Sequence, residues 1–207
     1  MSDDSDNLVR VTKSQAKAAG NVLAQAFADY PLHVAFIPDG YERKKKSPYF
    51  LEVFVRYGIL YGVVYATSPK LEGVIIWLPS ENADYAIWKM IRSGMLSYLF
   101  KIGIKTILRM ISVGNFLNSL HKRYAPFRHW YGWYVGVSPE FQGKGYGKIL
   151  IEAMLAKADK DKLPCYGETH TLEDVALWER YGFKIIDESI LPGTEFKQWV
   201  VLRDKVG

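Results

Sequence analysis

The spacing of apolar positions changes period several times along this chain. Leu8, Val9 and Val11 flank Arg10 in a short alternating stretch, which predicts a first strand. Ala19, Val22, Leu23, Ala26 and Phe27 then recur at helical spacing, with Ser14 placed to cap the helix and Pro31 closing the segment. Residues 48–60 are apolar on most faces and predict a buried helix. Residues 63–66 and 73–78 are two apolar runs joined by Thr67-Ser68-Pro69-Lys70, a hairpin that Pro79 ends. Two or three helices are expected between residues 85 and 121. Beyond them, residues 133–137 predict a strand, and Leu150, Ile151, Met154, Leu155 and Ala158 mark one buried face of a helix. A strand at 164–168, a short helix at 173–181 stopped by Gly182, and closing strands at 184–187 and 195–202 complete the pattern. Strands alternating with helices, with a hairpin at each end, predict a mixed α/β (α+β) sheet. This makes a single domain over residues 8–205, with a helical insertion at about 80–125 between the third and fourth strands.

The stretch joining strand 133–137 to the following helix carries the clearest chemistry. It reads Gln142-Gly143-Lys144-Gly145-Tyr146-Gly147-Lys148. A glycine-rich loop entering a helix N-terminus suits an anion. Side chains are absent where the ligand must approach, the first-turn N–H groups lack intrahelical partners, and the helix dipole favours negative charge. A phosphate or pyrophosphate ligand is expected. Spacing narrows the type of loop. A P-loop needs a hydroxyl directly after Gly-Lys, but Gly143-Lys144 is followed by Gly145. A dinucleotide fingerprint needs its third glycine at position 148, which is Lys148. The pattern that remains is Q-x-x-G-x-G, met by Gln142, Gly145 and Gly147.

Composition changes this picture in a few places. Cys165 is the sole cysteine, so no intrachain disulfide forms and a reducing, cytoplasmic compartment is expected. Residues 1–7 are acidic and polar, unlike a signal peptide, and are expected to be a disordered tail. No stretch reaches the roughly 18 apolar residues of a membrane span. The net charge of +5 suits an anionic ligand without arguing for nucleic acid. Charge is uneven, however: residues 85–139 hold eight Lys and Arg and no Asp or Glu. Lys101, Lys105 and Arg109 recur every fourth residue, while Leu99, Ile102, Leu108 and Ile111 occupy other faces. The favoured reading is a solvated basic face over a buried one. A lid over an acceptor site comes second, and a membrane-surface helix ranks last. No pair of histidines has metal-ligand spacing, so no metal is expected.

Val135-Gly136-Val137-Ser138-Pro139, the loop and its helix together resemble the acetyl-CoA motif of the GNAT superfamily of N-acetyltransferases. Tyr166-Gly167-Glu168-Thr169, followed by Ala176-Leu177-Trp178-Glu179-Arg180-Tyr181-Gly182-Phe183, resembles that family's L-E-T…F-Y-E-R-x-G-F ending. Ala26-Phe27-Ala28-Asp29-Tyr30-Pro31 is similar to the start of antibiotic-modifying members such as puromycin N-acetyltransferase. The likeness runs from about residue 8 to 203. It implies a central, largely antiparallel sheet flanked by helices, acetyl-CoA as cosubstrate, and direct attack of an amine on the thioester, since nothing marks Cys165 as an activated thiol.

The resemblance also implies roles for individual residues. Gln142, Gly143, Lys144, Gly145, Tyr146, Gly147 and Lys148 would hold the pyrophosphate. Tyr134, Val135, Gly136 and Val137 would offer a strand edge to the amide-bearing pantetheine arm, with an N–H near Val135 polarising the thioester carbonyl. Gly136 suits either close approach of the ligand or simple packing relief. Asp174 stands where the family often has an asparagine that bonds the pantetheine. Trp178 stands where it commonly has a tyrosine acid, and an indole N–H cannot usefully give up its proton; Tyr181 or Tyr166 could substitute, water could serve instead, or activity would be low or absent. Glu168 is the first candidate for the base, because apolar surroundings at a strand end would raise its pKa. Asp29 and Tyr30 would border the acceptor, and His33, His129 and His170 are further bases to weigh. The expected acceptor is a primary amine of a small molecule. An acetyl-CoA-binding protein with lost catalysis, a protein or peptide N-acetyltransferase, and the choice between monomer and homodimer stay open.

Overall fold

Strand β3 (Gly73–Pro79) is buried along almost its whole length, and its two sets of side chains join different cores. Val74, Ile76 and Leu78 belong with Leu23, Phe50 and Leu51; Ile75 and Trp77 belong with Leu150, Ile151 and Met154. An unbroken apolar run of this kind suits a central strand covered on both faces. In the computed structural model, which describes residues 8–84 and 86–206, that is what surrounds it. The tail expected at residues 1–7 lies outside the described residues.

The strands are β1 (Val9–Arg10), β2 (Val63–Ala66), β3, β4 (Trp130–Val137), β5 (Cys165–Thr169), β6 (Lys184–Ile190) and β7 (Lys197–Arg203), in sheet order β1-β2-β3-β4-β5-β7-β6. Every neighbouring pair is antiparallel except β4 and β5, which are parallel and joined through helix α7 (Tyr146–Lys160). Helices α1 (Ala16–Ala26) and α3 (Gly40–Tyr61) pack against one face of the sheet and α7 against the other.

Several local expectations need correction. Ser14 does not cap α1. It sits in a 3-10 turn (Lys13–Gln15) entered through Thr12, whose N–H donates to Gln15 Oε1 at 3.0 Å. Pro31 does more than close a segment: it opens α2 (Pro31–Phe36), where its fixed φ and missing N–H suit a first turn. Helix α3 starts eight residues before Pro48, and Asp39 caps it by accepting from the Glu42 N–H at 2.8 Å. Its charged first turns concealed it.

The insertion between β3 and β4 consists of α4 (Ile87–Arg92), α5 (Met95–Ile102) and α6 (Ile104–Tyr124). Gly103, at φ +85°, breaks the chain between Lys101 and Lys105, so the basic stripe does not lie on one helix. Lys101 lies over the Tyr49 ring at 4.8 Å, and Leu108 and Ile111 are exposed. Lys101, Lys105 and Arg109 are all exposed while Ile102, Met110, Val113 and Leu117 are buried, so a solvated basic face over a buried apolar one is present, but it is shared by two helices and its apolar side excludes Leu108 and Ile111. No helix among the described residues is long and apolar enough to cross a membrane.

Candidate active site

The site opens where β4 and β5 part. They pair at Trp130, Tyr131 and Gly132, opposite Cys165, Tyr166 and Gly167, and no further. Beyond that point β4 stays on β3, with an extra residue at Trp133, while β5 continues alongside β7. Backbone groups alternate sides along a strand. Alternate N–H and C=O groups of residues 134–137 therefore face a cleft of about 260 Å³ instead of a neighbouring strand. Tyr134, Val135, Gly136, Val137, Gln142 and Gly147 line it on one side; Glu168, Thr169, His170, Asp174 and Trp178 line it on the other.

Helix α7 begins at the outer end of this cleft. Its N-cap Gly145 has φ +86° and Gly143 has φ +75°, a backbone region that other residues enter at a cost. A Cβ on either would meet nothing within 4 Å, so conformation, not crowding, calls for glycine there. The Ile149 N–H is bonded to the Gly145 carbonyl, which leaves the preceding N–H groups of the first turn without intrahelical acceptors. Gln142 ties the loop to β4 by donating to the Val137 carbonyl at 3.1 Å, and Lys144 donates to the Glu140 carbonyl at 2.9 Å. Gly143, Lys144, Gly145, Tyr146 and Lys148 lie outside the cleft lining, exposed or half-exposed at the helix end. First-turn N–H groups without intrahelical acceptors, two glycines with open space beside them, and the exposed Lys144 and Lys148 are features that a diphosphate site would use. Gly136 answers to a different constraint, because a Cβ there would come within 2.9 Å of Ala26 Cβ and Leu23 Cδ2. Packing against α1 requires it.

Glu168 stands in the cleft wall. Tyr131 donates to its Oε2, and Tyr166 donates to its Oε1 at 2.8 Å. Burial pushes its carboxyl up to about 7, and the two hydroxyls only partly offset this. Tyr166 is fully buried behind the carboxylate and does not line the cleft. Tyr131 was not singled out from the sequence. Its role follows from the parallel register that pairs it with Tyr166, a long-range fact without a local signal.

The remaining predicted groups divide. Tyr30 lines the cleft, but its O–H donates to Asp174 Oδ2 at 2.7 Å while it accepts from the His170 N–H at 3.0 Å. Burial and the nearby Asp174 carboxylate raise its pKa, so its proton is held tightly. Asp174 is thus engaged by the first loop. Asp29 lies outside the lining, paired with Arg43 at 2.7 Å. Tyr181 also lies outside it, its ring 6.5 Å from that of Trp178.

Burial lowers His33 and His170 to about 3. His129 is lowered too, and stands 2.8 Å from His121, a residue the sequence did not flag. These imidazoles are neutral at pH 7 and hold a proton poorly, whereas Glu168 titrates near neutrality. Cys165 is buried and its thiol is pushed up to about 12, which leaves it inert as a nucleophile. No group of three His, Cys, Asp or Glu side chains among the described residues is arranged to hold a metal.

Residues 76–183, just over half of the chain, match the model of the Acetyltransferase (GNAT) family. The protein is a GNAT acetyltransferase. An uncharacterised N-acetyltransferase of Schizosaccharomyces pombe is 31% identical over 183 residues, covering 84% of this chain and 72% of the relative. Among solved structures, this GNAT protein is similar in fold to a Corynebacterium glutamicum protein described as histone acetyltransferase HPA2 and related acetyltransferase. That likeness has a TM-score of 0.68 at 18% identity, over 97% of both chains. It is also similar to an agmatine N-acetyltransferase, with a TM-score of 0.60 at 12% identity over 94% of this chain and 97% of the other. The likenesses confirm the mixed, mostly antiparallel sheet with flanking helices expected of the family.

Proposed function

We propose that this GNAT protein transfers acetyl from acetyl-CoA to a primary amine of a small molecule, with Glu168 as general base. The observation that carries the reading is the buried Glu168 carboxyl, raised to about 7, set across the β4–β5 gap from an open strand edge and near the glycine loop that starts α7. In this reading residues 143–148 hold the diphosphate and β4 residues 134–137 hold the pantetheine amides. An N–H of the open edge polarises the thioester carbonyl. The amine attacks that carbon, the C–S bond breaks, and the proton shed by nitrogen passes to Glu168, directly or through water. Burial raises this carboxyl toward neutrality, which suits it to take up the proton near pH 7.

Trp178 lies at the cleft, so the commonly used tyrosine acid is missing. A thiol with a pKa of about 8.5 leaves readily as thiolate and takes its proton from water, so a dedicated acid is dispensable. Trp178 also favours a second reading, a coenzyme-binding protein with lost catalysis. One assay separates them: the protein is mixed with acetyl-CoA and a panel of amines, and free thiol is measured. Amine-dependent thiol release is the expected result. Tight coenzyme A binding with no release from any amine would favour the second reading. The similarity of residues 26–31 to antibiotic-modifying members supports a small acceptor. Phe27 and Tyr30 of that stretch line the cleft.

A further inference from the structure

A second cavity, of about 390 Å³, lies beneath the helical insertion and meets the acetyl cleft at Leu32, Trp133 and Tyr134, which line both. We infer that this chamber holds the body of the acceptor, and that the acceptor is a monoamine on an uncharged apolar body, alkyl or aryl. The inference rests on the acetyl-transfer reading above and names its substrate class.

Charge argues first. No Asp, Glu, Lys or Arg lines the chamber among the described residues. Two buried ionic groups on helices around the chamber are committed to other partners. Lys89 is buried against Asp84 at 2.8 Å and Asn82 at 3.2 Å, and Glu52 accepts from Arg56 and from Tyr98. A second ammonium held inside the chamber would lack a counter-charge and meet a steep desolvation cost. A peptide would fare little better, because its backbone groups would find few polar partners.

Shape argues next. Met90, Met95 and Met110, three of the five methionines in the chain, wall this one cavity, and flexible thioethers adapt to apolar ligands of varied outline. Ile87 and Ile111 line it too, yet are 64% and 44% exposed, so the chamber opens to the surface through an apolar mouth. Gly114 is the most pointed observation. It lies in the middle of α6, where glycine costs about 1 kcal/mol relative to alanine. No crowding explains it, since a Cβ there would meet nothing within 4 Å. It borders the chamber and keeps that space empty.

The test is Gly114→Leu, which fills the chamber while improving helix propensity, with Gly114→Ala as the milder variant. Thermal melts check that both fold, and calorimetry with coenzyme A checks the other site. In the wild type, thiol release should run with 2-phenylethylamine and octylamine at far higher kcat/KM than with spermidine. In Gly114→Leu the ratio of kcat/KM for 2-phenylethylamine over methylamine should fall about tenfold or more. An unchanged ratio in a folded variant, or spermidine as the better acceptor, would overturn the inference. So would a change confined to the preferred acyl length of the donor, because the chamber would then serve the acyl chain. Should no amine release thiol, the transfer reading fails on its own. The chamber is then judged by calorimetric binding of octylamine to the wild type and to Gly114→Leu, where equal affinity would refute it.

Discussion

A carboxyl raised to about 7 by burial, like that of Glu168, is unfavourable for the fold when ionised and suits the base role proposed for it. Its folded pKa, about 7, lies above the ordinary 4.5. Its contribution to stability is therefore complete below pH 4.5 and is lost as pH rises through 7. The span corresponds to about 3 kcal/mol. Glu168→Gln should flatten this loss in urea titrations run between pH 4.5 and 8. The same substitution should lower kcat by about 10²- to 10⁴-fold while leaving coenzyme A affinity intact. Wild-type kcat should rise with pH through about 7 as the carboxylate forms. An unchanged rate in the variant would remove Glu168 from the mechanism. Gly136→Ala tests a packing claim, because the added methyl group meets α1 at 2.9 Å. It should destabilise the fold by about 1–3 kcal/mol in the same urea assay. At this scale the sequence indicated Glu168, through its place at a strand end, but gave no sign of Tyr131 or of the Tyr30–Asp174 contact. Those depend on register and on loops more than a hundred residues apart.

At the scale of elements, the glycine loop and α7 were legible because their requirements are local. Positive φ at Gly143 and Gly145 and a one-sided apolar pattern depend on neighbouring residues only. Gly145→Asp and Gly145→Asn separate charge from conformation. Asn tolerates the left-handed region better than most residues, so it should bind coenzyme A measurably in calorimetry. Asp, similar in shape and anionic, should weaken binding much further. Equal affinities in the two variants would deny the loop its role as an anion receptor. Elements that escaped sequence reading did so for physical reasons. Helix α2 has six residues, too few to display a period. The first turns of α3 are charged and precede a proline that reads as a start. The break at Gly103 turns one apparent helical stripe into parts of two helices.

For the whole molecule, the insertion is continuous with the main body. Met90, Met95, Ile102, Met110, Val113 and Leu117 share one core with Leu23, Phe50 and Val74. Calorimetric unfolding should accordingly give a single transition with equal van't Hoff and calorimetric enthalpies. Two transitions would mean that α4–α6 melt separately. The class of fold was readable from alternating strand and helix patterns, but the strand order β5-β7-β6 and the lone parallel pair were not, since pairing between distant strands leaves no local trace. The parting of β4 from β5 sets a limit on how far this protein can be improved as a folded object. Zipping the two strands together would extend their ladder beyond Gly132 and Gly167 and should raise the melting temperature. It would also close the groove in which the proposed reaction runs. Selection for robustness alone, in a library screened by heat, should therefore enrich variants that are hardy and silent.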